Sequence, residues 1–84
     1  MNGKHRRTLA AIFSEPVPSG LKWDDIEALL MAAGCERSEG RGSRVRFTRE
    51  GVTLFAHRPH PSPETKRYLV REVRAFLEQC GIRP

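Results

Sequence analysis

Two histidines and three arginines in the second half of the chain are residue types that can transfer protons beside a bound phosphate. His57 and His60 lie close together in the sequence, with Arg44, Arg46 and Arg58 nearby. Imidazole accepts and donates protons near neutral pH, whereas guanidinium binds phosphate through paired N–H groups. Metal-independent cleavage of RNA needs these groups. A base activates the 2′-hydroxyl, an acid protonates the leaving oxygen, and cations stabilise the phosphorane.

Each histidine also has an interpretation without catalysis. His60 is alternatively explained as a connector residue hydrogen-bonded to the backbone, and His57 as an exposed residue at the end of a strand. His5 lies in the N-terminal region and is interpreted as incidental. The sequence leaves the catalytic interpretation of His57 and His60 open.

The Gly42-Ser43 pair directly before Arg44 extends the predicted RNA-binding set. Glycine permits close approach of the backbone to a phosphate, and a serine hydroxyl can donate a hydrogen bond to it. We therefore predict that RNA is bound by Gly42, Ser43, Arg44, Arg46 and Arg58. Phe55 would stack on an unpaired base for about 1–3 kcal/mol if it lies on an exposed face, and otherwise belongs to the core.

The charge balance of the chain also favours a polyanionic partner. Its 84 residues include fifteen Lys and Arg against ten Asp and Glu, a formal net charge of +5. A basic surface attracts nucleic acid, although a general contribution to solubility is an alternative explanation. With 38% apolar and 30% charged residues, the composition is that of a folded domain.

Several other classes of function have no support in the sequence. Cys35 and Cys80 are far apart and belong to no metal-ligand pattern, so we predict no metal, no cofactor and no disulfide. The apolar run at residues 9–13 is too short for a signal peptide or a membrane span. We expect a cytoplasmic protein without a membrane partner.

The helices that must position these residues follow from apolar spacing and end signals. A short helix is predicted over 5–13 and is broken by prolines, so residues 1–20 form an N-terminal helical extension and linker before a domain at 21–84. A second helix is predicted over 22–33, with Gly34 as its C-terminal cap. Ser62, Pro63 and Glu64 predict the start of a last helix that continues to Cys80. One side of that helix is basic, which is also typical of a solvated face. The basic residues are Lys66, Arg67, Arg71 and Arg74.

Three strands are predicted between these helices, over 35–38, 43–48 and 52–57. In the middle strand, Val45 and Phe47 alternate with Arg44 and Arg46, which indicates one apolar and one basic face. The parity of the third strand is undecided. The predicted fold class is α+β: a double-stranded-RNA-binding-like helix–strand–strand–strand–helix sandwich with an extra N-terminal helix.

The order of several short motifs resembles that of the HicA-type toxins, the mRNA interferases of bacterial toxin–antitoxin systems. The motifs are Trp23-x-x-Ile26-x-x-Leu29-Leu30-x-x-x-Gly34, Gly42-Ser43-x-x-x-Phe47, Pro59-His60-Pro61 and Cys80-Gly81-Ile82. The resemblance implies the sandwich fold and a type II toxin that cleaves mRNA and blocks translation. It also implies neutralisation by a HicB-type antitoxin protein.

One position departs from the family pattern. The family usually has its catalytic histidine directly after Gly-Ser, where this chain has Arg44. Arginine does not exchange its proton near pH 7, so the proton-transfer roles are predicted for His60 and His57. The alternative is a non-catalytic HicA-like module that binds RNA or an antitoxin. A plain protein-interaction domain, with neither RNA cleavage nor RNA affinity, is the third interpretation.

Overall fold

The computed structural model describes all 84 residues and shows an α+β fold of three helices and five strands. Three strands form the predicted antiparallel sheet in the order β2-β3-β4. In chain order the elements are α1 (Gly3–Ile12), β1 (Leu21–Lys22), α2 (Trp23–Ala32), β2 (Glu36–Glu39), β3 (Arg44–Arg49), β4 (Val52–His57), β5 (Glu64–Thr65) and α3 (Arg67–Gln79).

The core lies between one face of this sheet and the helices. Phe47 of β3 is fully buried and meets Trp23 of α2 edge-on, with ring centroids 6.2 Å apart. An aromatic pair of this geometry contributes about 0.5–1.5 kcal/mol beyond the burial of its surface. The other buried strand residues are Val45, Leu54 and Ala56, which face Ile26, Leu29 and Leu30 of α2 and Val70, Val73 and Leu77 of α3 within one cluster. The parity of β4 is thereby decided, because Leu54 and Ala56 face the core.

A two-residue turn sets the register between β3 and β4. Glu50 and Gly51 both have positive φ, at 51° and 81°, as a type I′ turn requires. The turn pairs Arg49 with Val52 and, at the far end of the hairpin, Arg44 with His57. Side chains of these facing residues therefore project from the same side of the sheet.

Arg49 joins the C-terminal ends of α2 and α3. Its guanidinium donates to the carbonyl oxygens of Ala33 and Cys80, each at 3.0 Å. Both helices end in a glycine of positive φ, Gly34 and Gly81, and the following residue bonds back into the last turn. The prediction of Gly34 as the cap of α2 is confirmed.

The predicted start of the last helix at Ser62 is wrong. Residues 64–65 instead form β5, which pairs antiparallel with β1, and α3 begins only at Arg67. The amide of Trp23 donates to the carbonyl of Pro63 at 2.9 Å, and the Ser62 hydroxyl accepts from the amide of Glu64 in a local turn. Proline, serine and glutamate suit a helix start, but their backbone groups are engaged by a segment distant in sequence.

The N-terminal segment is tied to α3 by two arginines. Leu9, Ile12 and Val17 belong to the core cluster. Arg74 donates to the carbonyls of Ile12 and Ser14 at 2.9 and 2.7 Å. Arg67 donates to the carbonyl of Val17 at 3.1 Å. Part of the basic side of α3 is therefore occupied by backbone acceptors and is not simply solvated.

The buried hydroxyl of Thr65 lowers the stability of the fold because it has no hydrogen-bond partner. Thr65 is only 1% exposed, and its Oγ1 has no hydrogen-bond partner. A buried hydroxyl without a partner costs desolvation free energy that a methyl group does not. We expect Thr65→Val to raise the free energy of unfolding by about 1 kcal/mol and the Tm by about 4–8 °C.

Thermal and urea unfolding would measure this change, with Thr53→Val on the exposed sheet face as the matched control, expected within about 0.5 kcal/mol of the parent. A clear loss of stability in Thr65→Val would show that the hydroxyl makes a stabilising interaction.

Candidate nucleic-acid interface

One face of the three-stranded sheet is not covered by helices. Arg44 lies opposite His57 and Arg46 opposite Phe55, while Ser38 of β2 lies opposite Arg46 on its other side. Arg44, Arg46, Phe55 and His57 alternate with buried residues along β3 and β4, so they project away from the core. Ser38 shares this face because it is paired with Arg46. We call this set, Ser38, Arg44, Arg46, Phe55 and His57, the open face.

Phe55 is the exposed aromatic residue of the open face. Its side chain is 70% exposed, with Arg46 directly across the strand pair. A hydrophobic side chain this exposed gains nothing from folding, whereas an aromatic ring between cations can stack on a nucleobase. The sequence left the position of Phe55 undecided; the structure assigns it to the exposed side.

The two arginines of the open face are available to an anion. The Nε–H of Arg46 donates to Ser38 Oγ at 3.0 Å, which steadies the side chain and neutralises none of its charge. Arg44 makes no ion pair and no side-chain hydrogen bond. Together with Ser38, Glu39, Gly40, Phe55 and His57 they line a shallow depression, which we call the sheet hollow. The Glu39 carboxylate in this lining is paired with Arg58. Glu36 lies at the opposite end of the open face, across from Thr48.

The loop between β2 and β3 shapes the rim of the sheet hollow. Gly40 leaves no room for a side chain, because a Cβ there would lie 2.9 Å from the Cβ of Arg44. Gly42 has a φ of 61° and open space around it. The amide of Arg58 donates to the carbonyl of Ser43 at 2.9 Å. Backbone bonds thus hold Gly42 and Ser43 exposed directly beside Arg44.

Arg58, predicted to bind RNA, is paired with two carboxylates. Its guanidinium contacts both carboxylate oxygens of Glu39, at 2.6 and 2.9 Å, and both of Glu27, each at 3.1 Å. The hydrogen bond from Arg58 lowers the pKa of Glu39, and the same pairing raises the pKa of Arg58. Two carboxylates already neutralise this guanidinium, which joins β4 to β2 and α2.

Glu27 is the centre of that network. It accepts from the Trp23 indole at 2.7 Å and from Arg37 at 2.6 Å, in addition to Arg58. Partial burial by itself raises the pKa of Glu27, but the hydrogen bonds from Arg58, Trp23 and Arg37 outweigh it, so the pKa lies below its ordinary value. The carboxylate is charged at neutral pH and fixes the start of α2 against two strands.

His57 and His60 share a second depression, at the end of the sheet. It is also lined by Ser62, Lys66 and Tyr68, and we call it the connector groove. Both histidines are exposed, and neither imidazole hydrogen-bonds within the chain. The backbone-bonded interpretation of His60 therefore does not describe its side chain. His57 also lines the sheet hollow, so it lies where the two depressions meet.

Lys66 and Tyr68 are the groove residues that sequence reasoning missed. The sequence places Lys66 only on the basic side of the last helix, and it gives Tyr68 no role. Their position depends on the pairing of β5 with β1, which places the start of α3 beside the histidines. A proline-rich segment of this length carries no local signal for a two-residue strand. The one signal in the sequence is the aromatic residue itself, Tyr68, just after that segment.

The structure gives little support for metal or thiol chemistry. No group of three or more His, Cys, Asp and Glu side chains is arranged to hold a metal ion. Cys35 and Cys80 are free thiols. Burial, assisted by the neighbouring Cys80, raises the pKa of the Cys35 thiol, which keeps it protonated and poorly nucleophilic. None of the helices is long and apolar enough to cross a membrane.

The fold and the open face give the structural class of the protein, a small α+β domain of the double-stranded-RNA-binding type with helices on one side of its sheet. Comparison with protein families then identifies the chain itself. The family model described as HicA toxin of bacterial toxin–antitoxin matches residues 23–82, so this chain belongs to the HicA toxin family. Searches of curated proteins and of solved structures gave no match. The matched range contains the whole of the open face and of the connector groove.

The Glu27 network predicts how stability depends on pH. The pKa of Glu27 in the folded state lies below its ordinary value of 4.5. At pH values between these two pKa values, the unfolded chain therefore binds more protons than the folded chain. The stabilisation is complete above about pH 4.5 and is lost as the pH falls through the folded-state pKa. We expect Glu27→Gln to lower the free energy of unfolding at pH 7 by about 1–3 kcal/mol and to weaken this pH dependence.

Urea unfolding at pH 7 and at pH 3.5 would compare the parent with Glu27→Gln. Glu36→Gln is the matched control, because Glu36 is exposed and unpaired, and we expect it to behave as the parent. An unchanged pH dependence in Glu27→Gln would contradict the assigned role.

Proposed function

We propose that this HicA-family toxin is a metal-independent endoribonuclease that cleaves mRNA and so blocks translation. The observation that carries the proposal is the pairing of Arg44 with His57 on an exposed sheet face. A phosphate bound by Arg44 and Arg46 is thereby placed beside an imidazole, and His60 lines the groove on the far side of His57. Membership of a toxin family supports the same conclusion.

The proposed reaction uses the 2′-hydroxyl of the RNA as nucleophile. One of His57 and His60 removes its proton as the 2′-oxygen bonds to phosphorus, and the other protonates the 5′-oxygen as its bond to phosphorus breaks. The products are a 2′,3′-cyclic phosphate and a 5′-hydroxyl. Arg44 and Arg46 supply positive charge to the phosphorane, which carries more negative charge than the starting diester.

A non-catalytic RNA-binding module is the second candidate. It is favoured by one observation, the presence of Arg44 directly after Gly42-Ser43, where the family usually has its catalytic histidine. Such a module would use the same open face, with Arg44 and Arg46 binding phosphates and Phe55 stacking on a base. RNA would be bound and released intact.

The partner that neutralises the toxin is proposed to be a HicB-type antitoxin with an acidic segment. The open face concentrates unpaired guanidinium groups around an exposed aromatic ring. An acidic, partly apolar protein segment would complement both features and exclude RNA by covering the same residues.

Cleavage is tested with labelled single-stranded and duplex RNA in EDTA, using protein freed of any antitoxin. We expect the parent to cleave RNA, and His57→Ala and His60→Ala each to lower the rate about 100-fold or more, because each removes a proton carrier. His5→Ala, on α1, is the control and should match the parent.

The same assay distinguishes the two candidates. Intact RNA throughout, with binding that weakens steeply as salt rises, would exclude the nuclease and favour the binding module. For single-stranded RNA, the Arg44→Gln/Arg46→Gln variant should then flatten the salt dependence by about 0.7 in log–log slope for each phosphate that the variant no longer neutralises.

Antitoxin binding is tested by size-exclusion chromatography with a candidate HicB-type partner. We expect Arg44→Glu/Arg46→Glu to abolish the complex, because both substitutions place like charge opposite an acidic segment. Arg6→Glu/Arg7→Glu on the exposed side of α1 makes the same change in charge and should leave the complex intact. Equal loss in both variants would indicate a contribution of net charge only.

A further inference from the structure

The connector groove continues the open face beyond the histidines. His57 lines both depressions, with Phe55 in the sheet hollow and Tyr68 in the connector groove. Tyr68 is 57% exposed, and it and Phe55 are the two exposed aromatic residues of the chain. Each of them therefore lines a depression that also contains His57. A strand of RNA that crosses the histidines from the sheet hollow would meet the Tyr68 ring next.

The charge around Tyr68 is suited to the backbone of such a strand. Lys66 is exposed at the start of α3 and takes part in no ion pair. The first turn of α3 has no acidic residue and no side-chain cap, so its positive end is not neutralised by the protein. The groove also contains the carboxylate of Glu64, which is paired with Lys22 in the short ladder and lies close to Gly20.

We propose that Tyr68 and Lys66 form a second nucleotide subsite, in which Tyr68 stacks on a base and Lys66 binds its phosphate. Phe55 and Tyr68 then hold bases on either side of the phosphate at His57. Single-stranded RNA is the substrate class that this requires, since bases in a duplex are already stacked. This inference rests on the proposed binding of RNA to the open face, although not on cleavage.

Affinity for an RNA that cannot be cleaved tests the subsite directly. The probe is a fluorescein-labelled hexauridylate with 2′-O-methyl groups, measured by fluorescence anisotropy with partner-free protein. We expect Tyr68→Ala to weaken binding about 5- to 100-fold, in the range of base–aromatic stacking. Tyr68→Phe should bind nearly as the parent, because the ring and not the hydroxyl is used, and Lys66→Gln should lower the salt dependence.

Two controls separate the subsite from general effects. Met31→Ala removes another exposed apolar side chain, on α2, and Arg6→Gln removes a distant positive charge. Both should bind the probe as the parent does. Because Tyr68 is exposed, its variants should keep the parent's Tm, which thermal unfolding checks.

The binding results for these variants distinguish failure of the Tyr68 subsite from failure of the proposed nuclease. A specific loss of affinity in Tyr68→Ala supports the subsite even if the parent leaves natural RNA intact, in which case only the nuclease fails. Binding by Tyr68→Ala within twofold of the parent, while Phe55→Ala is weakened, would overturn the subsite and leave the open face standing. No binding by the parent would overturn both.

Discussion

The register of the β3–β4 hairpin is the constraint on which the rest of the structure depends. Side chains alternate strictly along a strand, so a shift by one residue would move Arg44 and Arg46 into the core and expose Phe47. The type I′ turn at Glu50 and Gly51 prevents that shift. The same two strands therefore supply the apolar surface that folds the domain and the basic surface that can meet RNA.

Two groups of arginines have different roles in the structure. Arg49, Arg58, Arg67 and Arg74 donate to carbonyls or carboxylates and join separate segments of the chain. Arg44 and Arg46 lie on the open face and form no ion pair within the chain. Guanidinium serves both purposes because it has five donors in a fixed plane, so several segments can be bridged by one side chain. The basic composition thus reflects internal architecture as well as a polyanionic partner.

Local patterns predicted most of the fold and only part of the candidate site. The helices, the three-stranded sheet and the basic parity of β3 follow from apolar spacing, which is a property of neighbouring residues. The pairing of β1 with β5, the engagement of Arg58 by Glu27 and the exposure of Phe55 depend on residues distant in sequence. The Ser62-Pro63 segment shows the limit most clearly, because its local preference for a helix start is overridden by an amide of Trp23.

The N-terminal segment has a consequence for where this domain can be divided. Similarity to the family begins at Trp23, whereas the packed interior begins with Leu9 and continues through Ile12 and Val17. A fragment cut at the edge of the similarity would uncover the apolar surface on α2 and α3 that these residues protect, and would leave Arg67 and Arg74 without their acceptors. The family match and the hydrophobic core therefore begin at different positions in this chain.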